Sequence, residues 1–197
     1  STLFPYTTLF RSARPALMKP RTAAAMPEVS PDFRTFTFRI RPGIFFQDDP
    51  AFNGRRRELM AADHVYQMKR VADPRWKSPL WPSLETTRIL GLADLRKAAT
   101  GGGRFDYERQ IDGLRILDRY TFQVRLADPS PRFAELVADA RVTGGVAREV
   151  VEAYEHEIMA KPVGTGPFRL VSWTRASRIA LERNPAYRDE FYDAGAP

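Results

Sequence analysis

The sequence predicts a mixed α/β fold, and three observations carry that reading. Phe36, Phe38 and Ile40 alternate with Thr35, Thr37, Arg39 and Arg41, the period of a half-buried strand. Phe122, Val124 and Leu126 repeat the same alternation after a turn signal at Asp118-Arg119. Between them Val65, Met68 and Val71, with Tyr66 beside them, fall on one face of a helix over about 61–71.

Each element follows from its neighbours. Pro42-Gly43 turns the chain after the first strand, and Ile44-Phe45-Phe46 reads as a second short strand. An irregular polar loop over 47–57 leads to the helix. Asp63 stands in its first turn, where a carboxylate suits the helix dipole, and Asp73-Pro74 stops it. A loop rich in Pro and Trp spans 75–82, a helix or turn covers 84–95, and Thr100-Gly101-Gly102-Gly103 breaks the chain. Leu114 and Ile116 alternate on the first arm of a hairpin whose second arm is the 122–126 strand. Pro129 and Pro131 open a helix with Phe133, Leu136 and Val137. A further helix over about 148–159 places Val150, Val151, Tyr154 and Ile158 on one face. A glycine turn at Gly164-Thr165-Gly166-Pro167 precedes two strands, 168–173 and 178–182.

Composition narrows the chemistry. The 197 residues are 43% hydrophobic and 28% charged, enough for a full core. There is no cysteine, which excludes disulfides, thiolate metal sites and a cysteine nucleophile. Two histidines, His64 and His156, lie in different segments and leave little for a metal centre; none is expected. Asp48-Asp49 is expected to be a solvated turn. His64 is expected to be packed or surface-borne, and His156, between Glu155 and Glu157, solvated. No Gly-x-Ser-x-Gly, His-Glu-x-x-His or phosphate-loop pattern occurs, so no enzyme activity is expected. The formal charge of +7 invites a nucleic-acid reading. The arginines, however, are scattered, and the densest run, Arg55-Arg56-Arg57, is closed by Glu58 without interleaved aromatics. A basic nucleic-acid-binding module and, behind it, a hydrolase remain as alternatives.

Residues 1–12 (STLFPYTTLFRS) show no sustained period and are expected to be foreign to the fold, so that the native start is missing. As a signal peptide the stretch fails, because its positive charges follow the apolar residues. Trp76, Leu80 and Trp81 either plug a core or line a ligand cleft, and the residues alone leave both open.

The order of motifs resembles the extracellular solute-binding proteins of ABC importers, family 5. The resemblance is carried by Phe36-Thr37-Phe38-Arg39-Ile40-Arg41-Pro42-Gly43 and by the run from Glu58 through Ala61-Ala62-Asp63-His64-Val65-Tyr66 to Lys69-Arg70. Asp73-Pro74 and Ser78-Pro79 follow, then Val163-Gly164-Thr165-Gly166-Pro167-Phe168 and Leu181-Glu182-Arg183-Asn184-Pro185-Ala186-Tyr187. It implies part of a two-lobed periplasmic binding protein fold, class II type, closing on a peptide or other small solute that passes to a membrane permease. Residues 13–146 would form the smaller subdomain of the first lobe and 147–197 the segment returning to its main sheet, with the second lobe absent. The resemblance also implies a periplasmic or cell-surface monomer, without cofactor or nucleic-acid partner. By position, it places ligand contacts at Ser78, Pro79, Leu80 and Trp81 and at Gly164, Thr165, Gly166, Pro167 and Phe168. One departure is Met60, where the family has a capping Thr; a lost cap of ~1 kcal/mol predicts a looser start to the helix.

Overall fold

In the computed structural model, residues 10–14 and 17–188 are described. Residues 1–9 of the expected leader, 189–197 of the last segment and the His156 side chain lie outside them. In chain order the elements are β1 (Phe10–Arg14), β2 (Leu17–Pro20), β3 (Glu28–Val29), β4 (Thr35–Arg39), α1 (Ala61–Ala72), α2 (Trp81–Glu85) and α3 (Leu92–Thr100). Then follow β5 (Leu114–Ile116), β6 (Thr121–Arg125), α4 (Phe133–Val137), α5 (Ala140–Thr143), α6 (Arg148–Tyr154), β7 (Phe168–Thr174) and β8 (Arg178–Arg183). The fold is mixed α/β, as its sequence periods predict.

Its centre is an antiparallel sheet in the order β3-β4-β6-β5. Phe36 pairs with Val124 and Phe38 with Phe122, so the two alternating runs meet in register on one face. Phe36, Phe38, Ile40, Phe122, Val124 and Leu126 are each no more than 2% exposed. The Phe38 and Phe122 rings stack with centroids 5.0 Å apart. Ile116 pairs with Phe122 on the outer strand β5 but remains exposed, because no strand lies beyond it.

Two segments depart from the sequence expectation. Ile44-Phe45-Phe46 forms a single bridge, Phe45 to Glu58, instead of a strand. Ile44 and Phe46 are buried and Phe45 is only half-buried, so the alternation holds; the partner chain simply leaves after one exchange of hydrogen bonds, Phe46 N–H to Arg57 and Leu59 N–H to Ile44. The stretch over 84–95 splits into α2 and α3. Arg88 (φ 52°) and Gly91 (φ 77°) take left-handed backbone there, which no helix accommodates. The helix expected over 148–159 likewise stops at Tyr154, where Glu155 takes φ 38°.

Helix α1 lies against the sheet with Val65, Met68 and Val71 buried. Its start is not loose, contrary to the expectation from Met60. Asp63, three residues on, turns back so that its Oδ2 accepts the Met60 N–H at 2.7 Å, replacing the missing hydroxyl cap from the other side. At the far end Asp73 accepts the Arg75 N–H at 2.9 Å and starts a 3-10 turn. The core runs on past residue 146: Ala147 and Val150 belong to it.

Two hairpins lie apart from this sheet. β1 and β2 pair with a register slip between Ser12 and Arg14, and β1 crosses the boundary expected after residue 12. The irregular register explains why no side-chain period marks the strand. β7 and β8 form an antiparallel pair that leaves Phe168, Val171, Trp173 and Ile179 exposed.

Candidate functional site

The loop of Ser78, Pro79, Leu80 and Trp81 is a compact turn. The Leu80 N–H donates to Ser78 Oγ at 3.3 Å, and the Trp81 N–H to the Ser78 carbonyl at 3.3 Å. Trp81 opens α2 and is 8% exposed, with the Arg96 guanidinium 4.8 Å from its ring centroid. Of the two readings left open for this aromatic, the core takes Trp81. Leu80 packs half-buried on the core and Pro79 is exposed. Trp76 lies between the Arg70 and Arg75 guanidinia at 4.8 and 4.6 Å and donates to the Tyr107 hydroxyl at 3.1 Å.

The second loop is a clamped junction. Gly164, Thr165 and Gly166 are buried. The Gln47 N–H donates to the Gly164 carbonyl at 2.9 Å. Buried Asn184 donates through Nδ2 to the Gly166 carbonyl at 2.8 Å, and its N–H bonds the Pro167 carbonyl at 2.8 Å. Phe168, the next residue, is 53% exposed at the start of β7. Backbone groups that would otherwise be open to a ligand are thus partly committed within the chain. The two loops are held by different parts of the fold: 78–81 leads into α2, which packs on α1 with Arg96 of α3 over Trp81, and 164–168 rests on Gln47 and on Asn184.

Polar clusters that the sequence did not single out are more elaborate. Arg57 reaches Asp63 through both terminal nitrogens, at 2.7 and 3.0 Å, and Glu149 through Nε at 2.9 Å. The densest arginine run therefore sends one member, Arg57, inward, while Arg56 lies 4.0 Å over the Phe45 ring. Asp49 is not a bare solvated turn either: it accepts the Ala51 N–H at 2.9 Å and the Tyr154 hydroxyl at 2.7 Å.

His64 is fully buried, stacked on Phe122 at 5.5 Å, with Nδ1 2.8 Å from the Thr143 carbonyl. Burial lowers it to about 4 against the pull of that hydrogen bond, so it is a neutral packed histidine, as its sequence context suggests. A cleft of about 420 Å³ opens at Tyr66, Tyr107 and Arg148, away from both predicted loops. No local signal could have found it, since its walls come from positions more than 30 residues apart. Among the described residues no group of His, Asp and Glu could hold a metal ion, and no helix is long and apolar enough to cross a membrane.

The sequence and the fold agree on relatives. The profile of bacterial extracellular solute-binding proteins, family 5 Middle, matches residues 18–197. The periplasmic oligopeptide-binding protein OppA of Salmonella typhimurium is 31% identical over 163 residues, 80% of this chain and 27% of its own length. The glutathione-binding protein GsiB of Pectobacterium atrosepticum is 25% identical over 86% of this chain and 26% of its own. The crystal structure of Haemophilus influenzae OppA in complex with RPPGFSPFR superposes with a TM-score of 0.75 at 26% identity, over 92% of this chain and 33% of that one. The chain thus spans about a quarter of the length of the curated relatives it matches. With the family profile covering nearly all of it and the fold agreeing, the chain belongs to the bacterial extracellular solute-binding proteins, family 5.

Proposed function

We propose that this chain is part of the substrate-binding component of an ABC importer, a non-enzymatic receptor that captures a peptide-like solute between two lobes and delivers it to a membrane permease. The single observation that carries this is the family match over residues 18–197. The names of the relatives add peptides and glutathione as the solute class. In this reading residues 13–146 are the smaller subdomain of the first lobe, and 147–197 return to its main sheet. The protein works as a monomer in the periplasm or at the cell surface, without a cofactor or nucleic acid. The exposed apolar side chains of β7 and β8 support it, because a two-stranded hairpin with an uncovered apolar face is marginal unless further chain covers it. The basic charge has an ordinary explanation here. Arg88, Arg115, Arg119, Arg132, Arg141, Arg148 and Arg169 all sit beside carboxylates, so these seven form no bare basic patch.

Within the chain, the ligand-facing loops are Ser78, Pro79, Leu80 and Trp81, with Trp81 set into the core behind the others, and Gly164, Thr165, Gly166, Pro167 and Phe168, with the first three buried beneath the last two. Closure of two lobes buries a peptide and strips water from its hydrogen bonds. One wall alone leaves the association cost of ~4–15 kcal/mol largely unmet. The 197-residue chain should therefore bind di- to pentapeptides no more tightly than about millimolar, near −4 kcal/mol. Calorimetric titration of this chain and of the complete gene product with the same peptide library tests the reading. Micromolar binding by the complete product alone is the expected result. No peptide binding by the complete product would overturn the solute class, and micromolar binding by this chain would overturn its assignment as one wall.

A further inference from the structure

Asn184-Pro185-Ala186-Tyr187 follows β8 and closes a small turn at the base of the β7–β8 hairpin. Pro185 presets the backbone that the second position of such a turn needs. The Tyr187 N–H donates to the Asn184 carbonyl at 3.1 Å, and the Ala186 N–H to Asn184 Oδ1 at 3.0 Å. At its end the Tyr187 hydroxyl accepts from Arg21 at 3.0 Å. Arg21 stands two residues before Ala23, whose bridge to Ile40 joins the central sheet, so the turn is tied to that sheet.

Asn184 is 1% exposed, and its remaining donors reach back into the glycine turn. Nδ2 donates to the Gly166 carbonyl and the main-chain N–H to the Pro167 carbonyl, each at 2.8 Å. One residue thus holds the two carbonyls on either side of the Gly166–Pro167 step. The position asks for a donor and an acceptor on one short side chain. A carboxylate would set a second oxygen against the Gly166 carbonyl, and an alanine would serve neither neighbour.

The clamp carries Phe168. That residue pairs with Arg183, directly before Asn184, and leaves its ring exposed above the buried Gly164, Thr165 and Gly166. The hairpin packs chiefly strand on strand. Where Pro167 and Phe168 stand is therefore decided by few bonds: those of Asn184, the Gln47 N–H on the Gly164 carbonyl, and Arg21 on Tyr187.

We propose that Asn184 is a positioning residue of the solute site, acting through the Gly166 and Pro167 carbonyls to hold Pro167 and Phe168 where a bound peptide meets them. The proposal rests on the solute-binding reading. A loop free to wander would have to be ordered by each ligand, and that cost is taken from the affinity.

The test is calorimetry of the complete gene product and its Asn184→Asp and Asn184→Ala variants with the di- to pentapeptide library, well below every melting transition. In Asn184→Asp the ionised carboxyl repels the Gly166 carbonyl. Once protonated it donates to that carbonyl and still accepts from Ala186, and burial raises the pH at which this happens. Relative to the parent at each pH, Asn184→Asp should bind about tenfold more weakly at about pH 8 and recover to within about twofold by about pH 5. Asn184→Ala has no proton to regain and should stay about tenfold weaker throughout. If Asn184→Asp does not fold, the affinity of folded Asn184→Ala decides alone. Parent affinity in the folded variants would overturn the proposal and leave the solute reading standing. An equal loss in both variants at every pH would reduce Asn184 to a structural residue and overturn it too. Absence of peptide binding by the parent would overturn both the proposal and the reading.

Discussion

Arg57 and Asp63 face each other in a two-pronged ion pair, Nη2 to Oδ1 at 2.7 Å and Nη1 to Oδ2 at 3.0 Å, with 3% of the Asp63 side chain exposed. The same carboxylate holds the first turn of α1 through the Met60 N–H, and Glu149 of α6 takes the outer edge of the guanidinium. One charge pair thereby ties the loop before α1, the helix itself and α6. Removing one member of such a buried pair strands the other, at a cost of ~3–5 kcal/mol. Asp63→Ala should lower the urea unfolding free energy by that amount, and Asp63→Asn, which keeps an acceptor for Met60, by less. A loss under ~1 kcal/mol for the alanine variant would show the pair to be solvated.

The sheet face offers a graded test. Phe38 is 1% exposed and stacks on Phe122, so Phe38→Ala should cost ~3–5 kcal/mol. Ile116 pairs with Phe122 in the same register yet is 52% exposed. Its alanine variant should stay within ~1 kcal/mol of the parent. Equal costs at the two positions would mean that the register described for β5 and β6 is wrong.

Glycines separate in the same way. A Cβ on Gly113 would stand 2.5 Å from the Leu90 nitrogen and from Ile89 Cγ2, and the backbone there cannot withdraw, being bonded to Arg125 and Gly113. Gly113→Ala should destabilise by ~1–3 kcal/mol or more. Gly101 has open space around it and an ordinary φ of −84°, so Gly101→Ala should be neutral or slightly stabilising, by up to ~1 kcal/mol. Thermal melting of both variants decides the pair.

His64 makes stability fall in acid. Folded, it titrates near 4; unfolded, near 6.5. Between these values the unfolded chain binds the extra proton, so stability is complete above about pH 6.5 and is lost as pH falls toward 4, by ~3 kcal/mol in all. The groups nearest the ring are the Phe122 face and the Thr143 carbonyl, with no carboxylate bonded to it. His64→Phe should flatten the urea-midpoint profile between pH 7 and 4.5. An unchanged profile would assign the acid sensitivity to carboxylates.

The strands and α1 were legible because each is a local pattern imposed by one buried face: 36, 38, 40 and 122, 124, 126 for the sheet, 65, 68, 71 for the helix. The breaks were not. Nothing near Arg88 marks it for left-handed backbone, and Ile44-Phe45-Phe46 keeps its alternation while losing its ladder, since pairing depends on how long Arg57 to Leu59 stays alongside. Aromatic content drew attention to Trp81, which the core absorbs, whereas the cleft at Tyr66, Tyr107 and Arg148 is assembled from three distant segments. Arg55-Arg56-Arg57 shows in the sequence only as the densest basic run, because the partners of its last member, Asp63 and Glu149, are supplied by folding.

The pairing of β4 with β6 also sets a timetable. Thr37 and Gln123 share a hydrogen bond at 3.1 Å across 86 positions of chain. On a ribosome adding ~5–20 residues per second, β4 emerges roughly 4–17 s before the strand that covers it exists. During that interval β4 lacks the strand that pairs along its whole length, and its backbone has β3 on one side and the bridge from Ala23 to Ile40. Nascent chains of this protein should therefore depend on holding factors until about residue 126 has emerged, and slow refolding in the test tube should trace to the closure of that same loop.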